Sequence, residues 1–135
     1  MKVLFIGGTG NISVSVSRLA IEKGIDLYLL NRGKQDVIID GANNIVADIN
    51  DVEQVRKALE DHHFDVVVNW IAYTESDIER DLELFAGRCG QYVFISSASA
   101  YQKPLTHHII TESTPMANPY WQYSRDKISC EQRLM

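Results

Sequence analysis

The sequence is short of most features that would mark a secreted, membrane-bound or nucleic-acid-binding protein. It has two cysteines, Cys89 and Cys130, in 135 residues. Two cysteines build no spaced disulfide framework and read as free thiols of a reducing cytoplasm, the expected location of the chain. No long hydrophobic run occurs. The opening run Val3-Leu4-Phe5-Ile6 is cut off by Gly7-Gly8, too short for a signal core or a membrane span. Positive charge is not in surplus. Lys and Arg number 13 against 18 Asp and Glu, a formal net charge of -5, which argues against a nucleic-acid backbone as the main partner. There is no internal repeat, low-complexity tract or linker. What is present is a chain that is 45% hydrophobic and 23% charged, enough apolar material for one compact domain over residues 1–135.

Apolar patterns of two kinds alternate along it. Val3 to Ile6 reads as a strand buried on both faces. A helix is predicted from about Asn11 to Lys23, with Ile12, Val16, Leu19 and Ala20 on one stripe and Gly24 as its stop. Leu27 to Leu30 reads as a second strand, and a short third lies near Asn44 to Ala47. Asp51 opens another helical pattern through Val52, Val55 and Leu59. Asp65 to Asn69 is a strand, and Gln91 to Ile95 another. Between them Ile78, Leu82, Phe85 and Cys89 recur at helical spacing. Residues 102–118 hold two of the three prolines and no periodicity, so a long loop is expected. A last helix starts near Pro119. This alternation predicts an α/β fold: a doubly wound, Rossmann-type parallel sheet of order 3-2-1-4-5 with helices on both faces. Ligands of such sheets bind beyond the carboxyl ends of the strands, where the order reverses.

The segments after those ends carry the chemistry. GGTGNIS, Gly7 to Ser13, joins the first strand to the first helix. Gly7 and Gly10 permit a tight turn, and the helix start at Asn11 and Ile12 offers unpaired N–H groups to a pyrophosphate. An ordinary tight turn has the same composition. After the second strand stand Asn31, Arg32, Gly33 and Lys34, with no carboxylate for ribose hydroxyls. Arg32 and Lys34 fit a 2′-phosphate and lean the cofactor toward NADP over NAD; they also fit a solvated basic loop. Asp48 in ADIND suits an adenine amino group or a helix N-terminus. Asn69 and Ala72 of NWIAY are expected to line the crevice. ISSASAY, ending at Tyr101, brings serines, which are also common helix caps.

Tyr123 and Lys127 lie four apart. On a helix they share a face, about 6 Å apart along the axis. A nearby ammonium favours the phenolate and lowers a tyrosine pKa from its reference of about 10. That suits acid/base work, with a serine hydroxyl holding a carbonyl or alkoxide oxygen while hydride moves. Taken alone, the pair also fits surface packing.

Together these motifs resemble the extended short-chain dehydrogenases/reductases, within them the NAD(P)-dependent nucleotide-sugar epimerase/dehydratase group. GGTGNIS resembles the GxxGxxG turn, with Ser13 in place of the last glycine. ADIND looks like the adenine-contacting segment, with Asp48 and its neighbour Ile49. NWIAY is a loose match to an Asn/His-x-Ala-Ala segment. SSASAY resembles SSA[ST]-x-Tyr, which puts the serine role on Ser97 rather than Ser96. YSRDK matches Tyr-x-x-x-Lys, and Glu131 matches a glutamate later on that helix. The resemblance implies Tyr123 as catalytic acid/base, Lys127 as the group that lowers its pKa and binds the nicotinamide ribose, and Ser97 as stabiliser of the substrate oxygen. It implies epimerisation, dehydration or reduction of a nucleotide sugar or similar hydroxyl or carbonyl compound. It points to a homodimer through the fourth and last helices. Extended members continue past this helix into a C-terminal substrate domain absent here, so a truncated first half, weakly active or inactive alone, is expected.

The competing expectation is a non-catalytic dinucleotide-binding regulator, a redox sensor or RNA-associated relative. No metal site is expected. His62-His63 and His107-His108 lack cysteines or carboxylates at ligand spacing. Trp70 and Trp121 flank the predicted crevice segments, although burial is the commoner fate of tryptophan.

Overall fold

The opening apolar run forms the central strand of a parallel sheet. The computed structural model describes residues 1–34 and 37–135. Its backbone contacts divide it into two compact units, Met1–Ile71 with Arg80–Ile95, and Ala72–Glu79 with Ser96–Met135.

In the first unit the strands are β1 (Lys2–Ile6), β2 (Asp26–Asn31), β3 (Asn43–Val46), β4 (Phe64–Asn69) and β5 (Cys89–Phe94). They run parallel in the order β3-β2-β1-β4-β5, as the alternating pattern predicted. The register sets Ile6 opposite Leu30 on one side and Asn69 on the other. The helices are α1 (Ser13–Glu22), α2 (Val52–Ala58) and α3 (Glu75–Phe85), the last running on from the second unit. Side chains alternate across the sheet. Leu4 and Ile6 pack with Leu30, Val67, Val55 of α2, Leu59 just after it, and Leu84 and Phe85 of α3. Val3 and Phe5 pack on the other face with Leu27, Leu29, Ile39 and Ala20 of α1. This double burial explains why β1 is apolar throughout, each fully buried Leu or Ile being worth about 2 kcal/mol.

Two predicted patterns were misplaced. Ile12 precedes α1 and is 74% exposed, and Leu19 is exposed as well. The face α1 buries carries Ser13, Ser17 and Ala20. The reason lies in Gly8: a Cβ there would meet Leu29 Cδ2 at 2.6 Å and Ser17 Oγ at 3.1 Å. Helix and strand approach so closely that only small side chains fit between them. Cys89 belongs to β5, because α3 ends at Phe85 and Gly87, with φ of +72°, turns the chain. Gly24 does stop α1, with φ of +72° and its N–H donated to Ile21 O at 2.9 Å.

In the second unit a single helical turn, Ala98–Ala100, leads into an antiparallel bridge between Tyr101 and Met116. Gln102 N–H donates to Pro115 O at 2.8 Å and Lys103 N–H to Ala117 O at 3.1 Å, so the 102–118 loop is closed at its base. The final helix, α4 (Gln122–Leu134), starts after Pro119 rather than at it. Asn118 Oδ1 accepts from Tyr120 N–H at 3.1 Å, which holds the preceding residues in a turn. Among the described residues no helix is long and apolar enough to cross a membrane.

Candidate functional site

The turn after β1 is kept tight by glycine and locked by serine. Gly7 has φ of +81°, and a Cβ there would stand 2.6 Å from Ile71 Cγ2. Gly7 N–H donates to Leu30 O at 3.1 Å. Ser13, where the motif often has a third glycine, is buried. Its Oγ accepts from Gly10 N–H at 2.8 Å and donates to Gly7 O at 3.0 Å. Ser17 Oγ donates to Gly8 O at 2.7 Å. The loop's carbonyls are thus drawn inward onto serines. At the helix start the N-cap, Ile12, offers no side-chain cap, and Asn11 and Ile12 are exposed. A helix N-terminus lacking a side-chain acceptor suits an anion. Gly8 and Ser17 were missed in the sequence; the glycine pair was visible, but the serine's reach of nine residues was not.

The other segments of this unit differ in what they leave available. Asn31 Oδ1 accepts from Gly33 N–H at 2.9 Å, shaping the turn on which Arg32 and Lys34 stand exposed. Asp48 lies beyond the end of β3 and accepts from Asn50 N–H at 3.0 Å. The cap of α2 is Asp51, which accepts from Gln54 N–H at 3.0 Å. Ile49 is buried with Ala47 and Val55, so its side chain belongs to the core; only its backbone remains for a ligand. Asn69 is fully buried and engaged at both ends of its amide. Its Nδ2 donates to Asp81 Oδ2 at 2.5 Å, and its Oδ1 accepts from Ile71 N–H at 2.7 Å. Asp81 also accepts from Tyr92 OH at 2.5 Å and pairs with Arg80 at 2.9 Å. Burial and the Asp81 charge push the Tyr92 phenol well above its ordinary range. Asn69 therefore fixes the bend after β4 through Ile71. Asp81, which fixes Asn69, carried no motif and was not foreseen. Trp70 sets its ring edge-on to Phe5 at 5.4 Å.

The second unit gathers the predicted acid/base group. Lys127 is 2% exposed, and its Nζ donates to Ala72 O at 2.7 Å. The ammonium lies 4.9 Å from the Tyr73 ring centroid and 5.7 Å from that of Tyr123. Ala72 thus serves through its carbonyl, aiming a lysine from 55 residues away. Burial lowers the Lys127 pKa, opposed by the nearby Cys130, Asp77 and Glu131. Trp121, 56% exposed, packs against Tyr123 with centroids 4.8 Å apart.

The two adjacent serines are separated by their partners. Ser96 Oγ donates to the Glu131 carboxylate. Ser97 Oγ instead lies 2.9 Å from Ser99 Oγ and accepts from Ser99 N–H at 3.2 Å. Ser99 in turn accepts from Ser124 Oγ on α4 at 3.0 Å. Ser97 is thereby linked to the helix that carries Tyr123 and Lys127. The His107 and His108 rings stack at 4.5 Å in the long loop, where the sequence placed them. A cavity of 370 Å³ in that loop, between Gln102 and Pro115, is lined by none of Ser97, Tyr123 and Lys127.

Against known proteins, residues 1–85 match the family described as RmlD substrate binding domain. A UDP-glucose 4-epimerase of Lactobacillus helveticus is 29% identical over 151 aligned positions, 97% of this chain and 45% of its own length. The chloroplast stem-loop binding protein of 41 kDa b of Arabidopsis thaliana is 28% identical over 116 positions, 76% of this chain and 30% of its own. The UDP-glucose 4-epimerase from Brucella ovis, solved in complex with NAD, shares the fold with a TM-score of 0.85 at 20% identity, over 98% of this chain and 46% of its own. The chain spans less than half the length of each of these proteins.

Proposed function

The chain belongs to the RmlD substrate-binding-domain family, and from that premise we propose that it carries the dinucleotide-binding and hydride-transfer residues of an epimerase/dehydratase-type oxidoreductase acting on a nucleotide sugar. The observation that carries this reading is Lys127. A buried ammonium beneath two tyrosine rings costs stability that an apolar side chain would not. Perturbed lysines of this kind cluster at functional sites.

Gly7 to Ser13 fits a pyrophosphate: Gly7, packed against Ile71 with φ of +81°, permits the tight turn, and α1 begins without a side-chain cap. A nicotinamide dinucleotide held there would supply the hydride acceptor. The Brucella ovis neighbour was solved with NAD, and this supports a nicotinamide dinucleotide in general; the lean toward NADP drawn from Arg32 and Lys34 finds no support in it. Tyr123 takes the proton from a substrate hydroxyl. The C–H hydride of the same carbon would pass to the nicotinamide, and Lys127, aimed by Ala72, places positive charge 5.7 Å from the Tyr123 ring centroid. Ser97 donates a hydrogen bond to the same substrate oxygen. Nucleotide sugars are the substrate class suggested by the epimerase relatives. The stem-loop binding relative bears on the regulator alternative. A bare sensor has no need of a buried lysine beside a tyrosine and a wired serine, so the catalytic reading is preferred.

The test is nicotinamide reduction in a single-turnover mixture of the chain, NAD and UDP-glucose. Slow reduction that falls about 1,000-fold in Tyr123→Phe is expected, with NAD affinity unchanged. Reduction that survives Tyr123→Phe, or NAD affinity lost with the phenolic hydroxyl, contradicts the assignment.

A further inference from the structure

Ser97 has one proton to give, and its neighbours decide where that proton points. Asn118 is buried. Its amide orientation is fixed by what it faces. Oδ1 accepts from Tyr120 N–H at 3.1 Å, and Nδ2 donates to Ser99 O at 2.8 Å, a carbonyl that can only accept. The second Nδ2 proton goes to Ser124 Oγ at 3.3 Å. Ser124 is fully buried, and its own proton goes to Ser99 Oγ at 3.0 Å. Ser99 Oγ, which accepts there, lies 2.9 Å from Ser97 Oγ, a contact in which either oxygen can donate. Ser97 Oγ also accepts from Ser99 N–H at 3.2 Å. With the Ser99 proton turned toward Ser97, both acceptor positions of Ser97 are filled from inside the protein, and its own proton is directed away from Ser99.

We infer that Asn118, Ser124 and Ser99 are positioning residues that polarise a hydroxyl chain in one direction, so that Ser97 is preset as a hydrogen-bond donor. An isolated serine hydroxyl rotates and serves as donor or acceptor. This one meets an incoming oxygen, carbonyl or alkoxide, with its proton already placed, and it discriminates against a ligand group that can only donate. Preset donors need no reorganisation when charge develops on the oxygen they hold, and hydrogen bonds in a chain strengthen one another. The choice of Ser97 over Ser96 follows from the same accounting, because the Ser96 proton is committed to Glu131. That the oxygen belongs to a nucleotide sugar rests on the proposed function; the direction of the chain does not.

Neutron diffraction from deuterated crystals of the chain reads the direction itself. Deuterons are expected on Ser124 Oγ toward Ser99, on Ser99 Oγ toward Ser97, and on Ser97 Oγ away from Ser99. A Ser97 deuteron lying on Ser99 Oγ would overturn the proposal, whatever the fate of the functional reading. In the nicotinamide-reduction assay, Ser124→Ala is expected to lower the rate about tenfold with unchanged NAD affinity. Ser124→Thr, which keeps the hydroxyl, is expected to restore it. Failure of Ser124→Thr to restore the rate in a folded protein would contradict a positioning role. A neutron map with the expected polarity in a protein that never reduces NAD would leave the hydroxyl chain standing and overturn the proposed function instead.

Discussion

The Gly7–Ser13 turn and the Ser97–Tyr123–Lys127 group are built on opposite principles. The turn works through absent side chains and backbone N–H groups. Its residues are adjacent in sequence, and its two locks, Ser13 and Ser17, lie on the next helix. The proposed acid/base group brings together side chains from separated segments, each set by a distant partner: Lys127 by the Ala72 carbonyl, Ser96 by Glu131, Ser97 by Ser99 and Ser124. The turn should therefore fail by losing its shape, taking binding with it. The acid/base group should fail by losing chemistry while the fold survives.

The largest effect that would sharpen this contrast is expected from Lys127→Met. Replacing a buried ammonium by an apolar chain of similar length should leave stability unchanged or raise it by roughly 1 kcal/mol. Nicotinamide reduction should nonetheless fall about 100-fold. Thermal unfolding and single-turnover rates measured together check both; a joint loss would mean that the lysine is structural. Gly7→Ala should act the other way. A φ of +81° and a Cβ 2.6 Å from Ile71 leave no room for a side chain. A stability loss of about 2 kcal/mol in denaturant melts is expected, together with loss of dinucleotide binding. The smallest effect concerns Cys130, fully buried on α4, whose thiol is pushed from 9.0 to about 11 by burial. A pKa raised in the folded state means less thiolate at any pH below it. Alkylation at about pH 8 should therefore be roughly 100-fold slower in the folded chain than in urea. Equal rates would place Cys130 at an accessible surface and break the packing assigned to α4.

How far the sequence could be read follows the same division. The strand order was legible because buried parallel strands show as continuous apolar runs, with Val3 to Ile6 and Val66 to Val68 the plainest. The face of α1 was not, because close approach at Gly8 replaces large apolar residues with serines. Cys89 kept a helical spacing that the turn at Gly87 overrode. The tyrosine and lysine stood out only with the serine-rich strand end beside them, because their spacing alone also fits surface packing. Their positioning partners were not, since a carbonyl donates no residue identity: nothing at Ala72 announces that it holds Lys127. Asp81 and Asn118 are likewise read only once the chain has brought their partners to them.

The most direct test of the central claim is a calorimetric titration of NAD into the folded chain, repeated with Gly7→Ala and Tyr123→Phe. The account predicts saturable binding at one site in the parent chain and in Tyr123→Phe, and its loss in Gly7→Ala. A folded chain that takes up no NAD, or a Gly7→Ala variant that binds as well as the parent, would contradict it.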